Sequence, residues 1–180
     1  FPYTTLFRSS LLQSGRSIDI APLQWEHVDM EMKRINYINT KNGLDYPFPM
    51  TKRVHQILER RFKNKKDSFF VFDYADSKTG HVPQDCQWHF KVIAEKSGKL
   101  VSHHDLRRTW ATAARKLKID KRTIDYCLKH VIGDVNEHYF VSFEDELREA
   151  LQAVEDFFLS KLTVEVDNSA DEIQEEGALA

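Results

Sequence analysis

The sequence predicts a mainly helical α+β domain with a small antiparallel sheet, and three observations carry that reading. Apolar side chains recur every three or four residues over three stretches. They are Val54, Ile57, Leu58 and Phe62; Leu106, Trp110, Ala113, Ala114 and Leu117; and Leu147, Leu151, Val154, Phe157, Phe158 and Leu162. Each is the stripe of an amphipathic helix. In contrast, Leu44, Tyr46, Phe48 and Met50 alternate with Asp45, Pro47 and Pro49, the period of a half-buried strand that its prolines confine to an edge. Asn42-Gly43 then joins this strand to an earlier one at 34–39, with Ile35 and Tyr37 on one face, through a two-residue hairpin turn.

The chain has 180 residues, 41% of them apolar, which suits one globular domain with a substantial core. Cys86 and Cys127 lie far apart and form no C-x-x-C pair, so no zinc or disulfide framework is indicated and a reducing cytoplasm fits. No apolar run reaches membrane-spanning length and no signal peptide opens the chain, so a membrane is not an expected partner. The first residue is Phe, which suggests a fragment of a longer protein. The net charge of −2 hides an asymmetry. Residues 141–180 hold two Lys/Arg against twelve Asp/Glu, leaving 24 basic and 16 acidic side chains in the first 140. A basic body with an acidic tail suits a polyanionic partner.

Taken in order, residues 1–10 carry no helix or strand pattern and read as disordered or as a cloning remnant. Leu11 and Leu12 end a helix at Ser14-Gly15; a short helix is expected over 17–23 and a helical turn over 25–29. The helix at 52–62 closes on a basic cluster, Arg60, Arg61, Lys63, Lys65 and Lys66, which complements the helix dipole or contacts phosphate. Residues 69–72 read as a buried apolar run. Pro83 opens a helix that runs to about residue 96 with Trp88, Val92 and Ile93 inward, and Ser97-Gly98 ends it. The last helix covers 144–162, and 163–180 is expected to be an acidic, disordered tail.

The chemistry concentrates between residues 103 and 140. His104 and Arg107 lie three apart on one helix, hence neighbours on its surface beside the buried stripe. The guanidinium fork binds two phosphate oxygens at once, and the imidazole passes protons near neutral pH. Two further helical pieces, 121–129 and 134–140, carry His130 and Tyr139. Each residue alone is as readily a surface histidine or a packed tyrosine; the combination at these spacings points to a site.

This constellation resembles the catalytic end of the tyrosine recombinases, the phage-integrase family: H-x-x-R, then G/K-H, then a tyrosine. The resemblance extends upstream. Arg16 and Asp19, followed by Leu23, Trp25, Val28 and Asp29, are similar to the family's first box, although Gly15 adjoins Arg16 where most members have an intervening residue. Thr40-Lys41-Asn42-Gly43 is similar to the hairpin that carries the family's lysine. The resemblance covers residues 11–162 and implies a tyrosine-recombinase catalytic core over that span. It implies Arg16, Lys41, His104, Arg107, His130 and Tyr139 as catalytic residues, with Asp19 as a brace. It implies a site-specific DNA recombinase that needs neither metal, ATP nor any other cofactor. The implied partners are double-stranded DNA and other copies of the chain, as a synaptic tetramer. Nothing matches the family's N-terminal DNA-clamping domain. Competing readings are a DNA-binding remnant that has lost its chemistry through the shortened Gly15-Arg16 turn or the missing partner domain, and a type IB topoisomerase-like or telomere-resolving enzyme. A metal-dependent nuclease built on His103, His104 and His138 is disfavoured, because no carboxylate-rich ligand set accompanies them.

Overall fold

The computed structural model describes residues 2–38, 45–65, 67–130 and 143–161. Seven helices and three short strands occur among them: α1 (Pro2–Leu12), α2 (Ser17–Ile20), β1 (Val28–Asp29), β2 (Arg34–Tyr37), β3 (Tyr46–Pro49), α3 (Lys52–Lys63), α4 (Gln87–Ser97), α5 (His103–Lys116), α6 (Lys121–Cys127) and α7 (Glu144–Ser160). A 3-10 turn, Trp25–His27, leads into β1. The sheet is antiparallel in the order β1-β2-β3, with Ile35 opposite both Val28 and Phe48. Ile35, Tyr37 and Phe48 point into the core. The proline-bearing strand β3 lies at the sheet edge, where a missing N–H breaks no ladder. The Asn42-Gly43 turn lies outside the described residues.

Three of the helices, α3, α5 and α6, begin where the sequence supplies a side-chain acceptor for unpaired N–H groups. Thr51 caps α3 by accepting from the Val54 N–H, and Asp120 caps α6 by accepting from Thr123. Ser102 and Asp105 form a reciprocal capping box at the start of α5. This box matters for the site, because it sets the first turn of the helix that carries His104 and Arg107. The middle of α5 is anchored by Trp110, Ala113 and Ala114, all buried.

Several expectations are corrected. Residues 2–12 are helical, and Leu6 on α1 is buried in the main core against α5. The short helix α2 stops at Ile20. Val71 and Phe72 are buried, but Phe69 is 82% exposed: residues 69–71 pair with the backbone of 23–25, which turns Val71 into the core and leaves Phe69 at the surface. Helix α4 begins at Gln87, after a left-handed Cys86, and buries Phe90 while Trp88 faces solvent. Arg61 belongs to no phosphate-facing edge. Its Nε donates to the Val71 carbonyl and its Nη2 to Asp73, so it clips α3 to the following loop.

Helix α7 docks on its own chain. Leu147, Leu151 and Val154 have no exposed surface, and α7 packs against α5, α6 and β3. Its polar side supplies two further anchors. Gln152 and Glu155 accept from the backbone N–H groups of Lys52 and Arg53, which satisfies the first turn of α3 with a buried carboxylate. Glu144 pairs with Arg34 of β2 at 2.5 Å and with Arg148 at 2.6 Å. Burial alone would raise the Glu144 carboxyl, but the hydrogen bonds from these two arginines outweigh it and hold the group below its ordinary range. Phe157 and Phe158 are half-buried at the rim of a groove beside Arg108, Thr112 and Lys116 of α5. Residue 162, the last position of the apolar stripe, and the acidic tail at 163–180 lie outside the described residues. No helix among the described residues is long and apolar enough to cross a membrane.

Docking in cis makes a quantitative prediction. Leu151→Ala should lower stability by about 2–5 kcal/mol in urea unfolding, the cost of a cavity in a packed core. Leu159→Ala, at a position 43% exposed on the same helix, should change it by less than about 0.5 kcal/mol. Equal effects from the two would contradict this docking.

Candidate active site

The site begins where α1 ends. Ser14 adopts a left-handed backbone with φ 48°, and the Gly15 N–H returns to the Ser10 carbonyl at 3.1 Å, closing the helix. Gly15 might be expected to make this corner, but it does not: Ser14 does, two residues before Arg16. Gly15 is needed for space instead, since a Cβ there would stand 1.9 Å from Cδ1 of Ile20. The turn is therefore not one residue short. Its left-handed corner has moved onto a serine.

Three long-range hydrogen bonds radiate from this corner. Nη1 of Arg107 donates to the Ser14 carbonyl. The Ser14 hydroxyl donates to the Cys127 carbonyl at 2.5 Å, and Nη2 of Arg16 donates to the Lys129 carbonyl at 3.0 Å. Segments 93 and 113 residues apart in sequence are thereby tied to one turn. Arg107 is buried within the helix's inward face, not beside it as the sequence suggests. Each arginine spends one terminal nitrogen on a carbonyl. The others, Nη1 of Arg16 and Nη2 of Arg107, are buried with no hydrogen-bond partner among the described residues. Burial pushes the Arg107 guanidinium down to about 10, the nearby Arg16 adds to that, and Asp19 opposes it. Arg107 stays charged at neutral pH, and two desolvated cations with unused donors are held side by side. That arrangement favours an anion with several oxygens. Asp19, read as a brace, makes no hydrogen bond through Oδ2 among the described residues. It acts on its neighbours by charge.

His104 and His103 part company. His104 is exposed on the first turn of α5, one turn before Arg107. His103 packs against Phe7 and Phe90, with ring centroids 5.6 and 5.4 Å away, and burial lowers its imidazole to about 4. His103 is thus neutral and committed to packing. His130 follows α6 and is half exposed. Its Nδ1 lies 3.4 Å from Oδ1 of Asp125, and its backbone N–H bonds the Asp125 carbonyl. Asp125 also binds Lys121, and the hydrogen bonds from Lys121 and His130 outweigh its burial to keep the carboxyl low. Lys41 and Tyr139 lie outside the described residues, as does His138. Among the described residues, no three His, Cys, Asp or Glu side chains are grouped to hold a metal.

Two participants escape a reading of the sequence. One is Ser14, whose left-handed backbone has no marker because a glycine stands next to it. The other is Lys129, which the sequence marks only as the residue before His130. Its backbone is left-handed (φ 50°) and its side chain is fully buried, with Nζ 3.1 Å from the centroid of Tyr37 and 4.9 Å from that of Phe48. Burial pulls its amine down to about 7; Asp19 opposes this, while Arg107 and Arg16 add to it.

The sequence profile described as "Phage integrase family" matches residues 5–146, most of the chain. The chain belongs to this family. A curated relative, the tyrosine recombinase XerA of Pyrococcus horikoshii, is 27% identical over 140 residues, covering 76% of this chain and 49% of that protein. The fold agrees with solved family structures. The integrase of mycobacterium phage Brujita superimposes with a TM-score of 0.66 at 19% identity, covering 87% of this chain and 52% of that one. The Tn1549 transposon integrase, solved with circular intermediate DNA, gives 0.57 at 17% identity, covering 79% and 53%. A XerA recombinase crystal structure gives 0.54 at 19% identity, covering 82% and 63%. The chain spans about half the length of the curated relative it matches. The mainly helical domain with a small antiparallel sheet is therefore the family's catalytic-domain fold.

The corner at residue 14 can be tested by two substitutions. Ser14→Gly loses the bond to Cys127 but suits the left-handed backbone; Ser14→Ala loses the bond and keeps the strain. Ser14→Ala should therefore be the less stable of the two by about 1 kcal/mol in chemical denaturation. Equal stabilities would place the corner elsewhere.

Proposed function

We propose that this chain is the catalytic part of a site-specific DNA recombinase of the phage or prophage integrase kind. The observation that carries the proposal is the pair Arg16 and Arg107, held by one turn with an unused guanidinium nitrogen on each. In-line attack on a phosphodiester builds charge on the non-bridging oxygens, and preorganised donors in a desolvated site stabilise it. Tyr139 is the nucleophile. Its hydroxyl forms a bond to phosphorus as the bond to the 5′ oxygen breaks, leaving a 3′-phosphotyrosyl link. The phenolic proton is lost with assistance from His104, and Lys41, at the hairpin, protonates the departing 5′ oxygen. His130, held through Nδ1 by Asp125, presents Nε2 to the phosphate. The link conserves the energy of the broken bond, so rejoining needs neither ATP nor a metal. Double-stranded DNA is the substrate, several copies assemble on it as a synaptic tetramer, and the reaction belongs to the cytoplasm.

The left-handed Ser14, two residues before Arg16, supports an intact turn over the alternative of a remnant without chemistry. A suicide substrate, a duplex nicked beside the cleavage position, tests the enzyme directly: the expected result is a covalent protein–DNA adduct that forms equally well in EDTA. Tyr139→Phe should abolish the adduct while leaving duplex binding nearly unchanged; an adduct in this variant would assign the attack to another residue, such as Tyr126. Arg107→Lys keeps a charge but loses the fork, and its cleavage rate should fall by about 10²-fold or more. A near-normal rate would reduce Arg107 to a structural residue.

A further inference from the structure

The catalytic scheme above gives Lys129 no part, yet its amine is buried in the middle of the site. Among the described residues, the groups that face it come from every element around it. They are Arg16 and Asp19 at α2, Arg107 from α5, the Tyr37 phenol from β2 and the Cys127 thiol from its own turn. Phe48 of β3 adds an apolar wall. The Lys129 carbonyl is held by Arg16, so the backbone of this lysine is fixed to the same guanidinium that has a nitrogen to offer a phosphate. Two permanent cations and one carboxylate already occupy this desolvated volume. Burial beside two guanidinium groups disfavours a further cation there, and a nearby anion favours it.

We propose that Lys129 is a proton-linked member of the phosphate clamp, taking up a proton when a DNA phosphate seats on Arg16 and Arg107 and releasing it when the phosphate leaves. This rests on the reading of the site as a clamp for DNA phosphate. Lys129 does not touch the reacting atoms; it is a positioning residue that adjusts the charge of the site to that of its occupant. Burial and the two arginines bring its amine to about 7 in the free protein. Above that pH the free protein holds it neutral, and a phosphate nearby shifts the balance back toward the ammonium. The sign follows from linkage. The bound form holds more protons between its own midpoint and that of the free form, so affinity for phosphate strengthens as pH falls through that window.

The test is direct titration of the lysine. The chain is labelled with carbon-13 at lysine Cε and followed by NMR from mildly acidic to alkaline pH. It is examined alone, with sodium sulfate, and with a random-sequence duplex whose binding is measured separately by fluorescence anisotropy. Sulfate keeps its charge throughout, so it reports the response to an anion without adding a titration of its own. One Cε resonance should titrate near neutrality in the free chain and be absent from both Lys129→Met and Lys129→Gly. Methionine preserves the packing, and glycine suits the left-handed backbone, so one of the two should fold even if the other does not. The bound duplex should move the midpoint upward by about one pH unit or more, the response to one added negative charge at close range. No lysine titrating below about pH 9 overturns the inference. So does a midpoint that stays put when anisotropy shows the duplex bound. If the duplex does not bind at all but sulfate moves the midpoint, the DNA reading falls and the proton link to an anion stands.

Discussion

The Ser14 carbonyl can accept the Arg107 guanidinium only because α1 ends in a left-handed residue that turns this carbonyl toward α5. The same residue offers its hydroxyl to the Cys127 carbonyl, and the chain that follows sends Arg16 to the Lys129 carbonyl. One corner thus joins three parts of the chain that no local interaction could bring together. The arginines need such a scaffold. A guanidinium with all its donors in water would adopt many rotamers, and ordering it for a phosphate would cost conformational entropy at each encounter. Here one terminal nitrogen of each side chain is already committed to a carbonyl, so the other is aimed before any ligand arrives.

That preorganisation has an electrostatic cost. Burying Arg107 lowers its guanidinium to about 10, and burying Lys129 among the same groups lowers its amine further still, to about 7. Arginine tolerates the site charged because its cation is delocalised and intrinsically far more basic, whereas lysine, a compact ammonium, gives up its proton first. Asp19 offsets part of the excess positive charge on both. Among the described residues the site carries more positive than negative charge, a balance that favours an anion.

The interval that carries Tyr139 leaves the described residues at His130 and re-enters them at Phe143. Both ends are firmly held. His130 is fixed through its backbone and ring to Asp125, while Phe143 packs on Tyr126 with ring centroids 5.1 Å apart. One residue further, Glu144 is locked between Arg34 and Arg148. Part-buried ion pairs of this kind add little net stability over an apolar contact of similar size; the contribution here is positional. Placed immediately after the tyrosine interval, this one ties the start of α7 to the sheet whose hairpin carries Lys41.

Much of this was legible in the sequence, because helical and strand periodicities report which face of an element is apolar, and that holds whatever the element packs against. The edge strand with its prolines and the spacing of Arg16, His104, Arg107, His130 and Tyr139 are local patterns. The helix at 2–12 was missed because its few buried side chains, Tyr3 and Leu6 among them, make no full stripe. Its stability comes from packing on α5. Trp88 and Phe69 were assigned inward on hydrophobicity alone, yet each has Phe90 or Val71 nearby as the better-placed alternative. The spacing to Arg107 singles out His104 from two adjacent histidines, but only the fold committed His103 to an aromatic cluster and left His104 exposed. By itself, then, the sequence determined the type of most elements and the family to which the chain belongs. Tertiary structure alone decided that Ser14, not Gly15, takes the left-handed corner, that α7 returns to its own chain, and that Lys129 lies buried between two arginines. The physical reason is the same in each case: conformation and charge state depend on what fills the space around a side chain, and that is set by residues about a hundred positions away.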